Sequence, residues 1–172
     1  YTLWFALRLL VPEQQSIQSP ALKKFTVALL LLLFVQLCYG GFMAGLRAAT
    51  VAPTWPTING EWFPASLFNE RGPANLVNNP FMVHFIHRGL AYLIVILIIG
   101  WFISIQKTAL SPWLHKTKIL PLVLVLAQVL LGICTVLYSP SATALVWFGV
   151  LHQFTAMLLL VSLVWVLYLV RK

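Results

Sequence analysis

Four long apolar runs decide what this chain can become. They cover about residues 25–46, 80–106, 119–138 and 142–170. Each reaches the roughly 20 residues that an α-helix needs to cross a bilayer. Inside hydrocarbon a chain must satisfy its own backbone N–H and C=O groups, and separate runs of this length do so as helices. The composition agrees. Of 172 residues, 61% are apolar and 8% are charged, and the mean hydropathy is +0.94. A soluble domain carries roughly 25% charged residues, so this chain cannot clothe a water-facing surface. The expected fold is an all-α, polytopic membrane protein built as a four-helix transmembrane bundle.

Local signals mark where the runs start and stop. Asn79 before Pro80 is an N-cap followed by proline in the first helical turn. Ser139-Pro140-Ser141 reads as a tight turn between the third and fourth runs. Ser111-Pro112, with Trp113, opens a short interfacial stretch leading into the third run, and Pro121 stands near its start, where a missing N–H costs little. Residues 1–22 are expected to be the tail of a preceding helix (Tyr1 to Val11, too short to span) plus a cytoplasmic loop. Residues 23–172 form the transmembrane domain, with an outer loop at 47–79. A start on Tyr1, with no signal peptide, reads as a piece of something longer.

Charge placement sets the orientation and excludes one class of partner. The net charge is +8, from eleven Lys and Arg against three acids. Nucleic acid would be the usual reading of such a balance. Here the bases sit at the ends of the apolar runs, so the lipid bilayer is the partner and nucleic acid is not. Arg8, Lys23 and Lys24 precede the first run, Lys107, Lys116 and Lys118 separate the second from the third, and Arg171 and Lys172 end the chain. The 139–141 turn has no base, and Arg47 and Arg71 are balanced by Glu61 and Glu70. Both chain ends therefore belong on the cytoplasmic or matrix side. Cys38 and Cys134 lie inside apolar runs as small packing residues, which leaves neither a disulfide framework nor a Cys-x-x-Cys metal site. No phosphate-binding loop, dinucleotide fingerprint or serine-nucleophile motif is present.

The outer loop is rich in Trp, Pro, Gly and Asn. Loops of this length are usually functional or disordered. Trp55, Trp62, Phe63 and Phe68 suit either a lid on the membrane interface or a plain aromatic belt.

A faint repeat runs through the chain. Gln36-Leu-Cys-Tyr-Gly40 in the first run is matched by Gln128-Val-Leu-Leu-Gly132 in the third. Each is followed by a run with a histidine and a polar neighbour, His87-Arg88 and His152-Gln153. Two hairpins of like orientation result, of the kind related by an axis along the membrane normal. Gly40, Gly41 and Gly132 would let a backbone come close to a neighbouring helix or a flat ligand. At a helical rise of about 1.5 Å per residue, His87 and His152 lie about 10 and about 15 Å below the outer ends of their helices, alike within one turn.

An ionisable side chain inside a span is a functional hypothesis in itself. A neutral imidazole is a good iron ligand, and two facing each other across a bundle can hold one heme in axial bis-His coordination. A proton relay, or two unrelated histidines satisfied by backbone carbonyls, are the other readings. His84, a turn before His87, either supports it or lies at the outer interface. His115 sits among lysines and is expected in solvent. Arg88 could meet a heme propionate or snorkel to lipid headgroups. Gln36 and Gln128 could line a cofactor pocket or hydrogen-bond between helices.

The strings GGFMAGLRAATVAPTWPTINGEWFP, NLVNNPFMVHFIHRGLAY, LAQVLLG and LHQ, in this order, resemble the C-terminal half of the heme A synthase family from about Lys23 onward. The resemblance implies half of an eight-helix, pseudo-symmetric membrane enzyme. That enzyme oxidises a ring methyl of heme O to the formyl group of heme A, in cytochrome oxidase cofactor biosynthesis. It implies heme b as cofactor of this half, with His87 and His152 as axial iron ligands and Arg88, Gln36, Gln128, Gly40 and Gly132 around it. Substrate heme O is expected in the other half. Implied partners are the N-terminal half of the same protein, heme O synthase and oxidase assembly factors. The implied location is the bacterial inner membrane, with the mitochondrial inner membrane as alternative.

Two departures from the family's N-terminal half matter. Its glutamate, three residues before the His-Arg pair, is replaced by His84, and its paired outer-loop cysteines are absent. Both fit the cofactor half and imply that this chain alone does not complete the oxidation. A stand-alone bis-His membrane cytochrome, carrying electrons without oxidising a substrate, is the second reading. A transporter or scaffold without cofactor is the third.

Overall fold

A computed structural model describes residues 2–171; Tyr1, which opens the expected helix tail, and Lys172, one of the terminal bases, lie outside the described residues. The chain folds into helices: α1 (Thr2–Leu10), α2 (Pro20–Gly45), α3 (Ala48–Val51), α4 (Asn75–Asn78), α5 (Pro80–Ile105), α6 (Pro112–Thr117), α7 (Leu120–Leu137) and α8 (Ala142–Leu169). Four stretches are long and apolar enough to cross a membrane: α2, α5, α6 continued by α7, and α8.

The local reasons are those of capped helices. Proline opens α2 and α5 in the first turn, where its missing N–H is not needed. Asn79 caps α5, its side-chain oxygen accepting the Phe81 N–H at 3.0 Å. The Ser111 and Ser141 hydroxyls accept from the third residue beyond at the starts of α6 and α8, both at 3.4 Å. α2 begins at Pro20, five residues ahead of the expected start at 25, because Pro20 and the two lysines form its first turns instead of a loop.

The four long helices form a ring in the order α2, α5, α7, α8, so α5 lies diagonally across from α8, and α2 from α7. One end of the bundle gathers the 47–79 loop and the 138–141 turn, joined where the Ser139 hydroxyl donates to the Ala49 carbonyl at 2.9 Å. The other end gathers both chain ends and the α5–α7 connection. There the Ile17 N–H donates to Leu169 O at 2.8 Å, and Trp113 stacks on Trp165 with centroids 5.6 Å apart.

The large apolar core occupies only that second end. Leu29, Leu33, Ile94, Ile98, Trp101, Ile105, Leu159, Leu163 and Val166 are all buried in it. An interhelical polar bond inside it is satisfied: the Trp101 indole N–H donates to Thr26 Oγ1 at 3.1 Å, and that hydroxyl donates to Leu22 O at 2.8 Å. Toward the loop end, the inward positions of the same helices carry Gln36, Gly40, His87, Gln128, Gly132 and His152.

The loop itself is ordered by its own polar groups. Asn59-Gly60, with φ of 51° and 93°, makes the tight reversal that pairs Ile58 with Glu61 in both directions. Those positive φ values are why Asn-Gly is found there. Ile58 and Leu67 are buried, whereas Trp62, Phe63 and Phe68 are among its most exposed side chains.

Candidate functional site

The two histidines predicted from spacing meet at the bundle axis. The ring centroids of His87 and His152 are 6.5 Å apart, although their helices are diagonal neighbours. The repeat around them is physical. In the first hairpin, Gln36 Nε2 lies 3.4 Å from His87 Nε2 and donates to His87 O at 3.1 Å. In the second, Gln128 Nε2 lies 3.2 Å from His152 Nε2, and His152 Nδ1 lies 3.0 Å from Gln128 O. A carbonyl oxygen only accepts, so the His152 proton sits on Nδ1 and its Nε2 lone pair accepts from the Gln128 amide. The two glutamines bridge helices, one of the two alternatives expected of them, and they do so by touching the imidazoles.

The glycines are equally paired. A Cβ built on Gly40 would stand 3.6 Å from His87 Cε1, and one on Gly132 only 3.0 Å from His152 Cε1. Each ring therefore lies against the backbone of the preceding helix at the glycine one turn beyond its glutamine. Both histidines, both glutamines and both glycines are half-buried, and the second histidine nitrogen at 87 and the two glutamine oxygens have no partner. Such unpaired polar atoms in an interior are uncommon without a ligand role.

The donor set fits a single iron. Two imidazoles sharing one metal at a bond of about 2 Å each have ring centroids about 6 Å apart, close to the spacing here. Neutral nitrogen donors in a low-dielectric bundle suit heme iron. Among the described residues no group of three or more His, Cys, Asp or Glu side chains could hold a bare metal ion.

Arg88 does something that the sequence reading missed. Its guanidinium holds the outer loop. Nη2 donates to Thr54 O at 2.6 Å, Nη1 to Thr57 O at 3.0 Å and Pro56 O at 3.2 Å, and Nε to His84 Nε2 at 2.9 Å. His84 is fully buried under this contact, not at the interface, and its Nδ1 has no partner. The i,i+4 spacing of His84 and Arg88 on one helix was the available signal. His115 is exposed in α6, as expected. Cys134 is half-buried and Cys38 exposed on the outside of α2, so Cys38 does not pack inside the bundle; both are free.

A multi-pass helical membrane protein with a paired-histidine centre on the axis of a four-helix bundle is the class that fold and site define. Comparison of the sequence narrows it. The family model of the cytochrome oxidase assembly proteins, COX15-CtaA, matches residues 1–164, and the chain belongs to this family. Among its relatives are proteins named heme A synthase from Flavobacterium johnsoniae (34% identical) and Flavobacterium psychrophilum (33%). Each aligns with 100% of this chain and 50% of its own length. A third, from Rhizorhabdus wittichii, is 36% identical over 81% of this chain and 38% of its own. The chain thus spans about half the length of the curated relatives it matches. No solved structure matches it.

Proposed function

We propose that this chain is the heme b-binding half of a heme A synthase. The observation that carries this reading is the 6.5 Å approach of His87 and His152 at the bundle axis, each ring resting on a glycine of its own hairpin. His87 and His152 would hold the heme iron through their ring nitrogens. Gly40 and Gly132 give each imidazole room against the preceding helix, and Gln36 and Gln128 flank the ring nitrogens. Arg88 holds the loop over the site and keeps one N–H to spare for a propionate. When bound, the heme would supply one-electron redox chemistry to an enzyme whose companion half oxidises the heme O ring methyl to the formyl of heme A.

The residues of this half fit carriage and not oxidation. The only acids in the chain are Glu13, Glu61 and Glu70, and none stands in a span. A buried imidazole, His84, holds the slot where the resemblance sets a glutamate in the other half. The same lack of a carboxylate favours the second reading, a stand-alone bis-His membrane cytochrome. A Glu-x-x-His-Arg string in sequence upstream of Tyr1 separates the two, because the enzyme requires it and the carrier does not.

The test is an absorption spectrum of the protein purified in detergent and supplemented with heme. A sharp reduced α-band of a six-coordinate low-spin b-type heme is expected. Its absence after supplementation overturns the reading.

A further inference from the structure

The repeat relates the two hairpins, yet their histidines are held differently. His152 is fixed from two sides. Its Nδ1–H donates to the Gln128 main-chain carbonyl at 3.0 Å, and its Nε2 faces Gln128 Nε2 at 3.2 Å. Its ring edge lies so close to the helix at Gly132 that a Cβ there would come within 3.0 Å. His87 is held less closely: the matching Gln36 main-chain carbonyl is near its ring, but no hydrogen bond of good geometry forms to it. Its Nδ1 is buried without a partner, and its Nε2 is 3.4 Å from a Gln36 amide that also donates to the His87 carbonyl at 3.1 Å. The Gly40 contact, at 3.6 Å, is ordinary van der Waals distance.

The difference has a chemical meaning for ligand strength. A ligating histidine normally donates its second ring N–H to a carbonyl or carboxylate, which fixes the tautomer, aims the ring and raises its basicity. Loss of that partner typically costs 10–100-fold in metal affinity. His152 makes that bond at 3.0 Å, whereas the matching Gln36 carbonyl stands outside hydrogen-bond geometry at His87. We propose that the two imidazoles are unequal ligands, with His152 the preset anchor of the heme iron and His87 the weaker ligand that can be exchanged. Because this rests on the heme-binding reading above, the test must separate the two.

Hemin is titrated into the detergent-solubilised full-length protein and its His87→Ala, His152→Ala, Gly40→Ala and Gly132→Ala variants. The wild type is expected to give the low-spin bis-His spectrum. His87→Ala is expected to retain hemin as a five-coordinate high-spin species that added imidazole returns to the low-spin form. His152→Ala is expected to bind hemin at least about 10-fold more weakly than His87→Ala. The glycine pair gives the same ordering without removing a ligand: Gly132→Ala, which pushes its ring away, is expected to weaken the low-spin signature more than Gly40→Ala. Equal loss in both histidine variants, or the reverse order in either pair, overturns the inequality while the heme reading stands. A wild type that binds no hemin overturns both.

Discussion

Arg88 occupies the position next to a proposed ligand, yet its hydrogen bonds go to three main-chain carbonyls of the outer loop and to His84. A planar guanidinium can serve four acceptors at once, whereas a lysine ammonium is a point donor on a flexible stem. Arg88→Lys should therefore loosen the loop without removing a ligand. Hydrogen bonds to charged groups contribute about 1.5–3 kcal/mol each, so amide exchange at Ile58 and Glu61 should quicken at least about tenfold, read by hydrogen exchange with mass spectrometry. Unchanged exchange would show that the loop holds its shape alone. The sequence could not announce this role, because backbone carbonyls carry no residue signature; only the His84 to Arg88 spacing was visible. A quieter case is Thr26. Thr26→Val leaves the buried Trp101 indole N–H unpaired. Interhelical polar bonds in membrane proteins average about 0.6 kcal/mol, so a loss of that order in resistance to denaturation by detergent is expected.

At the scale of elements, the ends of the helices were the most legible feature. Pro20, Asn79-Pro80, Ser111-Pro112 and Ser141 each act where chain chemistry says a helix can begin. The start of α2 was missed because lysines were read as loop, although two lysines in a first turn can reach past the hydrocarbon. Asn79 does more than its capping pattern announces. Its amide donates to Ser66 O at 2.8 Å, Leu67 O at 3.2 Å and Asn75 Oδ1 at 2.9 Å, binding the end of the loop to the start of α5. Asn79→Asp keeps the cap and loses these donations; Asn79→Ala loses both. Thermal unfolding in detergent should rank wild type above Asn79→Asp above Asn79→Ala, with the cap alone contributing about 1 kcal/mol. Equal midpoints for the two variants would mean that the cap contributes nothing here. The histidine pairing was legible for a related reason: glutamine, glycine and histidine recur at matching places in two hairpins, and the physics of a bundle brings such places to one axis. The inequality of the two rings was not legible, since it depends on tenths of an ångström.

For the molecule as a whole, the two ends of the bundle differ in kind. One is a packed apolar core; the other is a polar centre under an ordered loop. The positive residues cluster at the core end, in the α5–α7 connection and near the chain termini, so that end is expected to face the cytoplasm. With Cys38 and Cys134 confined to the membrane-spanning helices, single cysteines introduced elsewhere report orientation. Trp62→Cys should react with a membrane-impermeant maleimide in intact cells, and Lys116→Cys only after permeabilisation. The opposite pattern would invert the topology.

The latch at Arg88 has a consequence for how such a surface can drift. Pro56 and Thr57 offer the guanidinium only their main-chain oxygens. The latch thus reads the course of that stretch and not its side chains. A change at Thr57 that keeps the backbone path leaves the latch in place, provided one distant arginine is spared.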